Sequence, residues 1–239
     1  AGIGAMSRWK TMSGKLLLAQ IAGSIVLAIF VAAVFPLVYA GEMNFKVAVG
    51  MFVATLLIAT TLRDVWTKSK GQLSRLSKLS LSYWGMVIAH LGVAITVIGI
   101  TVVSNFSVEK ALKMYPGETA TVSGYDFKFA QVGTMKGPNY SAHVGVFEIS
   151  KQGELVATLN AEKRRYKVKG SMMTEAAIDA GLFRDLYVSM GEPLEDGAWA
   201  MRLQVKAFMR WVWLGSIFMA LGGLLAILDK RYRIRAKNA

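Results

Sequence analysis

The chain has 239 residues, of which 54% are hydrophobic and 18% are charged, and its formal net charge is +13. A soluble globular chain is usually about 45 to 50% apolar, so this excess indicates a membrane protein. Residues 104–205 carry twelve basic and twelve acidic residues, and the whole net charge therefore lies outside them, which argues against a basic nucleic-acid-binding domain. The absence of cysteine excludes disulfides, zinc–thiolate sites and cysteine nucleophiles within the chain.

Four apolar segments are long enough to cross a membrane, because a hydrocarbon core of about 30 Å needs roughly 20 helical residues. They are residues 16–40, 45–62, 84–103 and 211–228. The chain is therefore predicted to divide into three parts. Residues 1–103 form a tail and three membrane helices, residues 104–205 form an outer domain, and residues 206–239 form a fourth helix and a basic tail.

The basic residues near the spans predict the orientation, because cytoplasmic loops carry an excess of lysine and arginine. Residues 41–44, which follow the first span, contain none. Basic residues cluster before the first span, after the second and after the fourth: Arg8, Lys10, Lys15, Arg63, Lys68, Lys70, Arg75, Lys78, Lys230, Arg231, Arg233, Arg235 and Lys237. We therefore expect both termini to be cytoplasmic and residues 104–205 to lie on the opposite side.

The outer domain is predicted to be β-rich, a small barrel or sandwich. Its segments alternate apolar and polar residues or are rich in β-formers, and glycines separate several of them. The predicted strands are residues 119–122, 125–132, 141–149, 155–159, 165–168 and 199–205. Residues 172–180 lack this alternation and end before Gly181, so they are predicted to form a short helix.

His90 is the principal candidate for chemistry, because it lies inside the third predicted span. An unpaired buried polar group costs on the order of 1 to 3 kcal/mol, so the imidazole needs a partner. Gly85, Ala89 and Gly92 form a strip of small residues that would admit a flat ligand or another helix. Two interpretations remain open: a hydrogen bond to a neighbouring helix, or ligation of a metal such as haem iron or proton transfer.

The outer domain offers weaker candidates. His143, the second histidine of the chain, lies in a predicted strand, and we interpret it as a half-exposed residue and not as a ligand. Residues 162–167, Glu-Lys-Arg-Arg-Tyr-Lys, could bind haem propionates or an acidic partner, or form a solvated strand face. Arg184-Asp185 and Glu195-Asp196 are interpreted as solvated surface pairs, and no catalytic acid–base pair is evident.

Two groups of sequence strings point to one family. In the membrane part they are GMVIAHLG at 85–92, RWVW at 210–213, MALGG at 219–223 and DKRYR at 229–233. In the outer domain they are GPNY at 137–140, EKRRY at 162–166, MTEAAID at 173–179, RDLYV at 184–188 and DGAW at 196–199. As a set, and over most of the chain, they resemble the C-terminal part of the CcmF/NrfE family of cytochrome c haem lyases.

The resemblance implies a subunit of the machinery that attaches haem to apocytochrome c on the periplasmic side of the bacterial inner membrane. In that family the histidine of the matching membrane motif, here His90, is an axial ligand of a b-type haem. The implied partners are apocytochrome c and the haem chaperone and thiol-handling subunits of the maturation system. The lack of cysteine is consistent with partners that supply the thiols.

The chain also departs from the family pattern. Family members are longer and carry a tryptophan-rich WWD motif, external histidines and the second haem-b ligand upstream, and these are absent here. Ala207 and Ala161 stand where the family would have proline. The chain has no initiator methionine at position 1, so we expect it to begin partway through a longer protein or to be one subunit of a split lyase. The alternative function is a non-catalytic scaffold whose outer domain binds partner proteins.

Overall fold

The computed structural model describes residues 14–168 and 170–229 in two compact units. The membrane unit includes the described residues up to Asn105 and those from Arg210 onward, and the outer unit is Phe106–Met209. Arg8, Lys10 and the basic tail from Lys230 onward, on which the predicted orientation partly rests, lie outside the described residues. Each unit is described below by itself.

The membrane unit contains the four predicted helices. Their bounds are Gly14–Ala40 for α1, Phe45–Ser69 for α2, Leu81–Phe106 for α3 and Met209–Leu228 for α4. A short 3-10 helix, Leu73–Lys78, lies between α2 and α3. All four are long and apolar enough to span a membrane, so the prediction of a four-span membrane protein is confirmed.

The ends of α2 follow from local chemistry. The side chain of Asn44 accepts hydrogen bonds from the backbone amides of Lys46 and Val47, at 3.0 and 3.2 Å, and so satisfies two unpaired donors of the first turn. The helix runs to Ser69, past the apolar segment, and Asp64 and Lys68 pair at 3.2 Å one turn apart in this extension. Lys70 caps its C-terminal end, with a left-handed φ of 52°.

The outer unit is a sandwich of two antiparallel sheets. One sheet has the strand order β1-β9-β8-β7 and the other the order β2-β3-β4-β5-β6. The bounds are Val108–Met114 for β1, Thr119–Val122 for β2, Tyr125–Lys136 for β3, Tyr140–Lys151 for β4, Glu154–Tyr166 for β5, Met172–Glu175 for β6, Ala177–Ala180 for β7, Arg184–Pro193 for β8 and Trp199–Ala207 for β9. The β-rich prediction is confirmed, as a sandwich.

The core of the sandwich lies between the sheets, where alternate residues of each strand point inward. Phe129 and Phe147, on neighbouring strands of the five-stranded sheet, are fully buried and stack with ring centroids 4.8 Å apart. Leu186, Val188 and Leu203 of the other sheet are also fully buried and belong to the same cluster. This burial is the main stabilising contribution to the domain.

The predicted helix at 172–180 is wrong. Residues 172–175 form β6, which pairs with β5, and residues 177–180 form β7, which pairs with β8 in the other sheet. Ala176 lies at the crossing between the sheets, so the pattern of inward and outward residues restarts there and no alternation runs through the segment.

Other strand predictions need smaller corrections. Residues 155–159 and 165–168 were expected as separate strands, but 154–166 form one strand, β5. Besides β6 and β7, two further strands, β1 and β8, are absent from the prediction. The β1 strand lies at a sheet edge and buries only Met114 of its residues, so its pattern is weak. The β8 strand does alternate, because Leu186, Val188 and Met190 are buried, and this signal was overlooked.

Candidate functional site

His90 is half-buried near the middle of α3 and makes a hydrogen bond within its own helix. Its Nδ1 lies 2.7 Å from the carbonyl oxygen of Met86, one turn earlier. A carbonyl oxygen can only accept, so Nδ1 must carry the proton, and Nε2 therefore keeps its lone pair. Histidines that ligate metals commonly donate their other ring N–H to a backbone carbonyl, which holds the tautomer and the ring orientation.

The strip of small residues next to His90 contacts another helix. A Cβ added to Gly92 would lie 2.7 Å from the carbonyl oxygen of Gly215, and one added to Gly85 would lie 2.5 Å from that of Gly222. Such distances are too short for any side chain, so α3 and α4 pack backbone against backbone. Of the two occupants that the sequence allowed for this strip, the structure contains the helix.

His90 lies on a different side of α3 from this strip. At 100° per residue, it is about 140° from Gly85 around the helix, and within about 20° of Tyr83 and Thr101. Tyr83 donates a hydrogen bond from its hydroxyl to Asp64 of α2, at 2.7 Å, and Thr101 packs against Gly50 of α2. His90 is therefore on the side of α3 that carries the α2 contacts, and the packing of α4 does not cover it.

A polar cluster that the sequence reasoning missed joins α2 to α3. Asp64 is 6% exposed, accepts the Tyr83 hydroxyl and pairs with Lys68, whose ammonium lies 4.2 Å from the centre of the Tyr83 ring. At the same end of α3, a carboxylate oxygen of Asp229 accepts the backbone amide of Ser82 at 2.7 Å. A negative charge is favourable at a helix N-terminus. The position of Asp64 one turn before Lys68 was the available signal.

The described residues offer few metal ligands. Within 14–168 and 170–229, no group of three or more histidine, cysteine, aspartate or glutamate side chains is arranged to hold a metal ion. His143 lies in β4 of the outer unit, as predicted, and is half-buried with its ring 5.2 Å from that of Trp199. The two histidines of the chain thus belong to different units.

The first half of the basic segment at 162–167 forms ion pairs within the sandwich. Lys163 points inward and is 8% exposed. Its ammonium lies 2.8 Å from the carboxylate of Glu192 and 3.1 Å from the hydroxyl of Thr174. Arg164 pairs with Glu162 at 2.7 Å and with Glu175 at 3.4 Å. Lys163 is therefore not part of a solvated face, whereas Arg165 and Lys167 are exposed.

The two charged pairs that were interpreted as solvated surface pairs differ in their exposure. Asp185 is 4% exposed and accepts the backbone amide of Gly181 at 3.0 Å, so the surface interpretation of Arg184-Asp185 is wrong for the aspartate. Glu195 and Asp196 are exposed, as predicted. Hydrogen bonds from Lys113, and then from Tyr115, lower the pKa of Asp196 to about 2, so this surface ion pair stays charged at neutral pH.

The Lys163–Glu192 pair predicts an asymmetric response to mutation. Replacing Glu192 by alanine should lower the free energy of unfolding by roughly 2 to 3 kcal/mol, because a buried ammonium loses its counter-ion. Replacing Lys163 by methionine should cost less than about 1 kcal/mol, because Glu192 is 61% exposed on its side chain and stays hydrated. Thermal unfolding of the two variants tests the order, and a larger loss for Lys163→Met would contradict it.

Comparison with known proteins gives the same family by a family model and by individual relatives. The family model described as the CcmF C-terminal beta-sandwich matches residues 105–207. The cytochrome c-type biogenesis protein CcmF of Pseudomonas aeruginosa is 44% identical over 238 residues, which are 99% of this chain and 36% of that protein. CcmF of Escherichia coli is 40% identical over 239 residues, 98% of this chain and 36% of that protein.

The chain belongs to the CcmF family. NrfE of Haemophilus influenzae, also a cytochrome c-type biogenesis protein, is 36% identical over 154 residues, 64% of this chain and 24% of that protein. A solved structure titled cytochrome c heme lyase CcmF superposes with a TM-score of 0.79 at 17% identity, over 95% of this chain and 37% of that one, and so supports the fold. The predicted resemblance is confirmed, and the chain spans about 36% of the length of its CcmF relatives.

Proposed function

We propose that this chain acts as part of a cytochrome c haem lyase and supplies one axial ligand, His90, to a b-type haem within the membrane. The observation that carries the proposal is the hydrogen bond from His90 Nδ1 to the Met86 carbonyl, which leaves Nε2 available for iron. The names of the relatives, cytochrome c-type biogenesis proteins and a haem lyase, agree with this role.

In this proposal the chain supplies the ligand on one side of the haem. His90 is the only histidine of the membrane unit, since the chain has two and His143 lies in the outer unit. A second histidine ligand would therefore come from a protein segment outside this chain. When bound, haem supplies an iron centre that exchanges one electron, and its axial ligands tune the potential. The contribution of this chain is to orient the imidazole and hold its proton on Nδ1.

The proposed orientation places both termini in the cytoplasm and residues 104–205 in the periplasm of a bacterial inner membrane. It is supported by the excess of basic residues on one side of the spans. The sandwich would then face apocytochrome c and the haem chaperone and thiol-handling subunits. The chain itself has no cysteine, which is consistent with partners that supply the thiols of the reaction.

An alternative role as a non-catalytic scaffold has one observation in its favour. The sandwich exposes apolar side chains around its β5–β6 turn: Val168 is 93% exposed, Met173 is 50% exposed and Met172 is 42% exposed. Isolated exposed apolar residues are common, whereas neighbouring ones mark contact surfaces more often. Under this alternative the outer unit binds partner proteins, and His90 serves only the packing of the membrane unit.

An assay of cytochrome c maturation in cells distinguishes the ligand role from the scaffold role. With the assembled lyase, His90→Ala should abolish maturation of a reporter cytochrome c and remove the low-spin b-type spectrum of the purified complex, because the iron loses a ligand. His143→Ala, the matched change at the other histidine, should leave both unchanged. Normal maturation with His90→Ala, together with failure on replacing Val168 and Met173 by serine, would favour the scaffold and overturn the ligand role.

A further inference from the structure

The turn between β7 and β8 exposes two large apolar side chains from a well-ordered backbone. Leu182 is 55% exposed and Phe183 is 57% exposed. The backbone amide of Gly181 donates to the carbonyl of Arg184 at 2.9 Å and to the buried carboxylate of Asp185 at 3.0 Å. The turn is therefore held in one shape, with its apolar side chains pointing away from the core.

This turn is joined to the residue at which the chain enters the membrane. The backbone amide of Phe208 donates to the carbonyl of Phe183 at 3.0 Å, and the two rings pack edge to face with centroids 5.4 Å apart. Phe208 directly precedes Met209, the first residue of α4. Phe183 therefore packs on the residue that directly precedes this helix.

The length of α4 indicates where the start of this helix lies in the bilayer. The helix has 20 residues, which span about 30 Å at 1.5 Å per residue, and this matches the hydrocarbon core with nothing to spare. Its first residue would then lie near the edge of the hydrocarbon. Phe208, and the Phe183 ring that packs on it, would lie in the headgroup region, where amphipathic and aromatic side chains are favoured.

Basic side chains surround the same end of the sandwich. The ammonium of Lys151 lies 4.8 Å from the centre of the Tyr125 ring. The guanidinium of Arg184 lies 5.5 Å from the same ring centre and pairs with the carboxylate of Asp179. Lys206, two residues before Phe208, packs over the Tyr187 ring at 4.4 Å. Lys151 and Lys206 are thus cations behind an apolar tip, an arrangement that suits a surface of lipid phosphates.

We propose that Leu182 and Phe183 insert into the lipid bilayer interface and anchor the outer unit to the membrane. The sandwich would then be held at a third point, in addition to its two chain connections, which restricts its rotation about them. The occupant of this surface is lipid, and the inference does not depend on the haem role of His90.

The absence of cysteine permits a direct test in the whole chain. Leu182→Cys, labelled with the fluorophore NBD and reconstituted in vesicles of phosphatidylcholine and phosphatidylglycerol, should be quenched by nitroxide-labelled lipid several-fold more strongly than Leu194→Cys. It should also be several-fold less accessible to aqueous iodide. Leu194 is a matched control because it is an exposed leucine, 39% exposed, in the turn at the other end of β8.

Two outcomes would overturn the proposal. Equal iodide quenching at 182 and 194 would show that the turn lies in water. Protection of position 182 from both iodide and nitroxide lipid would show that protein, and not lipid, covers it. Both changes are at exposed turn positions, so neither variant removes core packing.

Discussion

Replacing Gly222 by alanine should destabilise the membrane unit by roughly 2 to 3 kcal/mol, whereas the same change at Gly223 should not. A Cβ at Gly222 would lie 2.5 Å from the carbonyl oxygen of Gly85 and 2.7 Å from the amide nitrogen of Ala89, both of them backbone atoms of α3. Backbone atoms cannot rotate aside, so the two helices would have to separate. The close packing between them would be lost along their length.

Gly223 is the matched control at the neighbouring position, because a Cβ there meets nothing within 4 Å. Gly223→Ala should be neutral or should stabilise α4 by up to about 1 kcal/mol through helix propensity. Thermal unfolding in detergent measures the difference, and 2 kcal/mol corresponds to a shift of about 4 to 8 °C for a chain of this size. Equal unfolding temperatures for the two variants would contradict the backbone packing of α3 on α4.

Under the proposed ligand role, replacing His90 by glycine should remove the b-type haem from the assembled lyase, and added imidazole should restore it. The loss should be at least about tenfold, since losing even an outer partner of a metal ligand costs that much. Glycine leaves the space of the ring open, and free imidazole can donate to the Met86 carbonyl as His90 does. The low-spin absorption spectrum, recorded with and without imidazole, measures both steps.

Rescue by imidazole distinguishes a ligand from a packing residue. A histidine that only fills space would be replaced as well by a non-coordinating ring of similar size, so pyrrole is the control additive and should restore nothing. His143→Gly should retain the spectrum, because that residue lies in the outer unit. Retention of the spectrum by His90→Gly without any additive would contradict the ligand role.

The membrane helices could be predicted from the sequence more reliably than the strands. Long apolar segments can cross a bilayer only as helices, because every backbone polar group must be satisfied within the segment. The strands were predicted from the alternation of apolar and polar residues, and this alternation breaks where a segment changes its partner strand. Residues 172–180 pair with β5 and then with β8, and nothing local to the segment reports this exchange of partners.

The candidate site was only partly accessible from the sequence. His90 and its strip of small residues were evident, because a ring nitrogen is unusual in an apolar span. What packs against the strip was not evident, since a face of small residues admits a helix or a ligand equally well. Lys163 was misinterpreted for a related reason. Its burial depends on Glu192, which is 29 residues further along and lies on the facing sheet.

The sequence by itself determined the class of this protein, its four spans, its family and the histidine that lies within the membrane. These features depend on composition and on strings of adjacent residues. The tertiary structure decided that α4 occupies the glycine strip, that His90 donates to Met86 on the side with the α2 contacts, and that the β7–β8 turn meets Phe208. Each of these features depends on the distance between two groups. His90 and Met86 are one helical turn apart, whereas the other pairs are far apart in the chain. The order of the residues alone does not give these distances.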